Sequence, residues 1–357
     1  FGNRLPDPRM ANDCLRDGIF DYWEVCRPLL ADPELVHKAA EDRLEEVRRC
    51  IGSLNCLSRL FRDLPYTCTM NPALGHEVEP EYQVTPAAVK KKVMVIGAGP
   101  AGMECAITAA KRGHDVTVFD KAGRIGGNLY AYAINDLARP DDLLSVISHY
   151  EAVAKKLGIE VRLNTEVHAK FMRSVLHQYD VCVIAAGASI DRGRHAHVKG
   201  SERMLDALDV AHGRVKAGQR VVVVGGGKIG LTLAESLRKH QGAEVTVIEP
   251  AKRIAGDVKP SFKWRHASWV EELGITCLTL TSLAEVGADD VKVRNAKGVE
   301  SFVPADTVIQ ADGVAPAHPL FHEFEWMVDE LHGVGDAVIP RGLEQAIQEG
   351  FRLGVRL

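Results

Sequence analysis

Two glycine runs of the same form lie 128 residues apart: Gly97-Ala98-Gly99-Pro100-Ala101-Gly102 and Gly225-Gly226-Gly227-Lys228-Ile229-Gly230. Each follows a short apolar run, Val93 to Ile96 and Val221 to Val224, and precedes a helical pattern. In a strand–turn–helix, the first glycine permits the tight turn and the second lets the backbone approach a pyrophosphate. The third lets the helix pack on the strand. The helix N-terminus then offers free N–H groups and its positive dipole end to the phosphates. Each unit should close with a strand ending, about 20 residues on, in an acid that accepts from a ribose hydroxyl. Asp120 ends Val116–Phe119, 23 residues after Gly97, and Glu249 ends Val245–Ile248, 24 residues after Gly225. A single run reads as readily as a glycine turn in some other α/β unit. Two complete units predict a protein that holds two dinucleotides and passes a hydride between them.

A second set of chemistry-bearing side chains, Cys50, Cys56 and Cys68, falls in a stretch (49–90) with little periodicity. Eight cysteines in 357 residues do not suggest a disulfide scaffold. No Cys-x-x-Cys redox pair is present. Apolar residues make up 46% and charged residues 26%, as in globular chains that bury real cores. The net charge is −4 without a strongly basic stretch, which argues against a nucleic-acid or membrane-surface partner. No apolar run approaches the ~20 residues of a membrane span. The N-terminus has no signal-peptide pattern, so a cytoplasmic location is expected. A chain opening on Phe1 reads as a fragment or as the visible part of something longer.

The elements that must position these residues alternate strand and helix from Val93 onward, which predicts parallel sheets covered by helices on both faces. Ahead of them, helical runs are expected over Met10–Asp17 and from Asp32-Pro33 to about Arg48. A short strand is expected over Ile19–Val25. Pro140 suits the first position of a helix over Asp141–Leu157. Further on, a strand over Tyr179–Ala185 ends at Ala186-Gly187, and a last helix covers about Arg341–Val355. The second glycine unit interrupts the first, so one dinucleotide domain is expected to be inserted in the other.

The order of glycine run, acid, Gly126-Gly127, Ala185-Ala186-Gly187, second run, acid and Gly335-Asp336 resembles the two-dinucleotide flavoprotein fold of thioredoxin and glutathione reductases. The resemblance implies FAD at the first site and NAD(P)H at the second. It assigns Gly97, Gly99, Ala101, Gly102, Asp120, Lys121, Val167 and Ala185-Ala186-Gly187 to FAD. Gly127 and Asn128 would run along pyrophosphate and flavin, and Gly335-Asp336 would hold the ribityl chain. The NAD(P)H set is Gly225, Gly227, Lys228, Ile229, Gly230 and Glu249.

A wider match runs through "CRPLLADPELVHKAAEDRLEEVRRCIGSLNCLSRL…CTMNPALG" and the first fingerprint. These segments resemble the C-terminal half of the 2,4-dienoyl-CoA reductase / trimethylamine dehydrogenase family. That family joins an FMN-bearing (β/α)8 barrel, an iron–sulfur segment and two dinucleotide domains. The implied division is 1–48 as the barrel's tail, 49–90 as the iron–sulfur segment, 91–195 and 313–357 as the FAD domain, and 196–312 as the NAD(P)H domain. Cys50, Cys56 and Cys68 then fall on three cluster positions, with Ser53 on the position of the second cysteine. A 4Fe–4S centre normally takes four thiolates. Three outcomes stay open: Ser53 ligates through oxygen, a three-iron (3Fe–4S) centre forms, or the cysteines are buried thiols that pack as small hydrophobes. Cys14 and Cys26 are expected to be packing residues. Arg27 matches the family's grip on the FMN phosphate, against a surface ion pair with Asp32 or Glu34.

The resemblance implies electron flow from NAD(P)H through FAD and the cluster to FMN. A small-molecule substrate with an activated C=C bond, an enoyl-CoA or an enone, is reduced there, with its catalytic residues in the barrel. That barrel belongs to the same chain or to a separate subunit. A homo-oligomer is expected. Glu249 would repel a 2′-phosphate and favour NADH, with Lys252 and Arg253 pulling the other way. The alternatives are an amine dehydrogenase or demethylase of the trimethylamine dehydrogenase type and an electron-transfer subunit without substrate chemistry of its own.

Overall fold

The computed structural model describes residue 5 and residues 7–135, 139–317 and 320–357; Phe1 lies outside them. The chain begins with helices α1 (Pro8–Arg16), α2 (Arg27–Ala31), α3 (Leu35–Ala40) and α4 (Asn55–Leu60). There follow β1 (Lys92–Ile96), α5 (Pro100–Lys111), β2 (Asp115–Phe119), α6 (Leu129–Tyr132), α7 (Pro140–Lys156), β3 (Glu160–Arg162), α8 (Ala169–Val175) and β4 (Val181–Ile184). Next come β5 (Ala188–Ile190), β6 (Leu205–Asp206), α9 (Ala207–Ala211), β7 (Arg220–Val224), α10 (Lys228–Ser236), β8 (Glu244–Glu249), α11 (Pro260–Glu272) and β9 (Thr276–Thr279). The remainder is β10 (Thr281–Val286), β11 (Asp290–Asn295), β12 (Glu300–Pro304), β13 (Thr307–Gln310), β14 (Val314–Pro316), α12 (Leu320–Phe324), β15 (Leu331–Gly333) and α13 (Leu343–Arg356). The chain divides into two compact units: residues 1–127, 141–187 and 316–357, and residues 128–140 with 188–315.

The first unit is built on a parallel sheet in the order β15-β4-β1-β2-β3. Val93–Ile96 of β1 and all of β4 are apolar and buried on both faces, as a helix-covered parallel sheet requires. Helix α5 carries Ala101 to Ala109 with every side chain buried. Its partner is the amphipathic α13, which approaches through small residues. A Cβ on Gly350 would lie 2.2 Å from the Ala101 carbonyl oxygen, and one on Gly354 would lie 2.6 Å from Cβ of Thr108. Only hydrogen at these two positions lets the helices pack this closely.

The second unit repeats the plan with a parallel sheet in the order β6-β13-β7-β8-β9 and adds a three-stranded antiparallel sheet, β10-β11-β12. Its core is an aliphatic cluster that includes Val221, Val223, Leu231, Val245, Val247 and Ile309.

The N-terminal segments differ from the sequence-based expectation. Helix α1 forms as expected, with Asp7 capping the Arg9 N–H and Pro8 in its first turn. No strand forms over Ile19–Val25: Ile19 and Tyr22 are 69% and 73% exposed, with no described strand beside them. The expected helix to Arg48 stops at Ala40. Asp42 takes a left-handed φ of 55°, and a single 3₁₀ turn, Leu44–Glu46, follows. Burial of Asp32 explains the break. Its carboxylate accepts from the Glu34 N–H, the Lys38 ammonium and the Arg48 N–H, which folds the segment back on itself. Cys26 is exposed and does not pack; Cys14 is half-buried.

Candidate dinucleotide and cysteine sites

In a doubly wound sheet, ligands bind beyond the strand C-termini where the strand order reverses. In the first unit this point lies between β1 and β4. Gly97 follows β1 with φ 112°, and a Cβ there would meet the Ala185 carbonyl oxygen, just after β4, at 2.2 Å. A Cβ on Gly102 would lie 1.9 Å from the Gly97 carbonyl oxygen, whereas one on Gly99 meets nothing within 4 Å. Gly97 and Gly102 are thus packing glycines, and Gly99 borders open space at the start of α5, which has no side-chain cap. Around that space stand Gly127, whose Cβ would sit 3.2 Å from Cα of Gly99, and Gly335, whose Cβ would touch Cβ of Ala101 at 2.7 Å. Asp120 follows β2 and accepts from the N–H groups of Ala98 (2.6 Å) and Ala122 (2.7 Å).

The other predicted positions fall as follows. Ala186 and Gly187 follow β4, and Asp336 accepts from Arg341 N–H at 2.9 Å. Lys121 is exposed. Val167 is 5% exposed within the core cluster of Met94 and Phe119, so only its backbone is available to a ligand. Asn128 belongs to the second unit, where its amide group bonds the Ala188 carbonyl (3.0 Å) and His212 (3.3 Å).

In the second unit the strand order reverses between β7 and β13. Gly225, φ 112°, follows β7, and its Cβ would meet Cβ of Asp312 at 2.9 Å. A Cβ on Gly230 would lie 1.9 Å from the Gly225 carbonyl oxygen. Glu249 accepts from the N–H groups of Gly226 and Ala251, each at 2.8 Å. Ile229 packs on the core beneath, and the Lys228 ammonium lies 4.6 Å from the ring centroid of Tyr132. Sequence reasoning missed Asp312, which pairs with Arg194 (2.8 Å) and His195 (2.9 Å), and Asp257, whose carboxylate accepts from the Lys228 N–H at 2.8 Å.

The cysteine segment belongs to the first unit. Cys50, Cys56 and Cys68 line one cavity together with Ser53 and Arg27. Burial pushes the Cys56 and Cys68 thiols up, and the neighbouring Cys50 pushes both further in the same direction. Backbone N–H groups aim at the Cys68 sulfur, Met70 N–H at 3.4 Å. Ser53 Oγ pairs with Thr69 Oγ1 at 2.9 Å. Among the described residues, no three His, Cys, Asp or Glu side chains are placed to share a single metal ion. Three thiols around one cavity, with N–H donors on sulfur, suit a polynuclear iron–sulfur centre better than a mononuclear one.

Two polar anchors hold this cavity to helices α5 and α13. Arg48 forks onto Glu104 of α5 at 2.9 Å from both terminal nitrogens and also donates to the Met70 carbonyl. Glu104 is 0% exposed, and its second oxygen accepts from Tyr150 Oη at 3.2 Å. Burial pulls the Arg48 guanidinium down, but Glu104, Tyr150 and Asp32 outweigh it and hold it above its usual range. On the other side, Asn55 and Thr67 both bond the Glu344 carboxylate in the first turn of α13.

A family profile described as pyridine nucleotide-disulphide oxidoreductase matches residues 91–334. The chain belongs to this family. It also matches the C-terminal portion of the 2,4-dienoyl-CoA reductase / trimethylamine dehydrogenase type of enzyme. This oxidoreductase chain is 33% identical over 385 residues to a metal reductase of Desulforamulus reducens, a match covering 99% of the chain and 57% of that protein. With a cinnamate reductase of Clostridium sporogenes it shares 31% identity, over 98% of the chain and 52% of the relative. The solved structure of a 2-naphthoyl-CoA reductase in complex with 2-naphthoyl-CoA superposes with a TM-score of 0.94 at 35% identity, covering all of this chain and 53% of that one. The oxidoreductase chain thus spans about half the length of these relatives. Among the described residues, no helix is long and apolar enough to cross a membrane.

Proposed function

We propose that this chain is the electron-input half of an NAD(P)H-dependent flavin oxidoreductase. The observation that carries the proposal is the duplicated glycine turn, set in each unit where the strand order reverses and closed by an acid on the backbone of the turn. FAD at the first turn and NAD(P)H at the second supply the redox chemistry, and the protein supplies binding and orientation. Gly99 and the free start of α5 receive the FAD pyrophosphate, and Asp120 its ribose. Gly335-Asp336 faces the ribityl chain. Gly227 and the start of α10 receive the nicotinamide dinucleotide, with Glu249 on its ribose. On this reading 91–195 and 313–357 form the FAD domain and 196–312 the NAD(P)H domain.

Residues 1–48 are read as the tail of an FMN barrel supplied by the rest of a longer chain or by a partner subunit. Arg27 grips its phosphate. The names of the relatives support a substrate with an activated C=C bond, an unsaturated acid or its thioester. A cytoplasmic homo-oligomer fits the same reading.

Anaerobic NADH is expected to bleach the flavin absorbance of the FAD-loaded protein, and Glu249→Ala to narrow the preference over NADPH. Absence of bleaching with either nucleotide refutes the reductase reading and returns the protein to the amine dehydrogenase type.

The cysteine cavity is proposed to hold a centre on Cys50, Cys56 and Cys68 with a weak fourth position, because the Ser53 hydroxyl is already engaged by Thr69. Iron and sulfide analysis of anaerobically reconstituted protein should give fewer than about four irons per chain. Ser53→Cys should raise the content towards a full cubane. If neither protein holds iron, the cavity is a packing feature only.

A further inference from the structure

The two fingerprints take the same backbone path up to a definite point. In the first unit the acid Asp120 accepts from Ala98 N–H, and six residues on Gly126 donates back to the Ala98 carbonyl at 2.9 Å. In the second, Glu249 accepts from Gly226 N–H, and six residues on Ala255 donates back to the Gly226 carbonyl at 2.7 Å. The paths then part. In the first unit the next residue is Gly127, pressed against Gly99, and no side chain caps α5. In the second, Ala255 takes a left-handed φ of 58° while buried, and Gly256 leads to Asp257. Asp257 Oδ1 accepts from the Lys228 N–H at the start of α10, and a Cβ on Gly227 would lie 3.0 Å from Oδ2. Asn128 is the neutral residue at the matching place in the first sequence.

An anion therefore already sits where the second fingerprint should receive a pyrophosphate. The carboxylate uses a helix-terminal N–H that a phosphate oxygen would otherwise take, and it sets a negative charge beside a doubly negative ligand. Asp257 is exposed, so it can turn out to solvent without uncovering the core.

We infer that Asp257 is a built-in competitor for the coenzyme pyrophosphate. It caps α10 while the site is free and swings away when the dinucleotide binds. This makes the second site an exchange site, whereas the uncapped first fingerprint is suited to a resident cofactor. The inference rests on the reading that NAD(P)H binds at the second fingerprint.

Calorimetric titration at low salt tests it with wild type, Asp257→Asn and Asp257→Ala. Asparagine keeps an acceptor for the Lys228 N–H and removes only the charge. NADH and ADP-ribose, which carry the pyrophosphate, should bind Asp257→Asn about tenfold tighter than wild type. Asp257→Ala should match or exceed that gain. Adenosine, which carries the adenine and its ribose without the pyrophosphate, should bind all three proteins alike. The gain should shrink at about 0.5 M salt, where the Debye length falls to a few ångströms. Equal NADH affinity in wild type and Asp257→Asn, weaker binding by the variant, or an equal gain for adenosine each overturns the competitor role while leaving the site as a nucleotide site. A wild type and variants that bind neither NADH nor NADPH overturn the nucleotide reading itself.

Discussion

Arg48→Ala is expected to destabilise the first unit by about 3–5 kcal/mol, because it strands the Glu104 carboxylate, 0% exposed, without its counter-ion. For a unit of this size that corresponds to a fall in Tm of about 10 °C. Glu104→Ala should cost a similar amount by stranding Arg48 and the Tyr150 hydroxyl. The double change Arg48→Met with Glu104→Leu should lose less than either single change, since no buried charge is left unpaired. Thermal melts followed by flavin release and by far-ultraviolet dichroism check the series. Single variants that melt with the wild type would show that the pair is better solvated than its burial implies. The two single variants should also loosen the cysteine cavity, since the same guanidinium holds the Met70 carbonyl two residues after Cys68.

The second large effect separates two glycines of one fingerprint. Gly102→Ala drives a Cβ to 1.9 Å from the Gly97 carbonyl oxygen, so β1 and α5 must move apart. A loss of about 3 kcal/mol in stability, together with loss of FAD, is expected. Gly99→Ala meets nothing within 4 Å, so its Tm without ligand should stay close to wild type. Its methyl group nevertheless enters the space proposed for the pyrophosphate, and FAD affinity should fall by about tenfold or more. Equilibrium dialysis of FAD beside ligand-free melts distinguishes the two roles. Gly99→Ala binding FAD as wild type does would remove the phosphate from this turn.

The sheets and their fingerprints were legible in the sequence because their signals are local. A buried strand, a glycine turn and an acid at fixed spacing are set within about 25 residues, and backbone geometry leaves few alternatives. The features missed depend on contacts that spacing does not encode. Arg48 and Glu104 are far apart in the chain, and nothing near either residue announces the other. The aromatic and β-branched residues of Ile19–Val25 suit a strand, but β-structure needs a partner edge and none of the described strands provides one. Asp257 had a visible signal that the fingerprint rule ignores: Ala255-Gly256-Asp257 repeats, after Glu249, the position of Gly126-Gly127-Asn128 after Asp120. The left-handed turn at Ala255, which aims that carboxylate at α10, appears only in the fold.

The glycine-lined packing of α13 on α5 also bears on how the chain is made. A ribosome delivers α5 early and residues 343–356 long afterwards. At about 5–20 residues per second the delay is roughly 10–50 s. During that interval the whole of 188–315 emerges and can fold as a unit, while α5 waits without the surface that buries Ala101, Cys105 and Thr108. The nascent first unit is thus an exposed apolar helix beside an unfinished sheet, and β15 must still dock at the edge of β4. Synthesis therefore completes the second unit before the first unit can close, and the incomplete first unit is the form most exposed to proteolysis and aggregation.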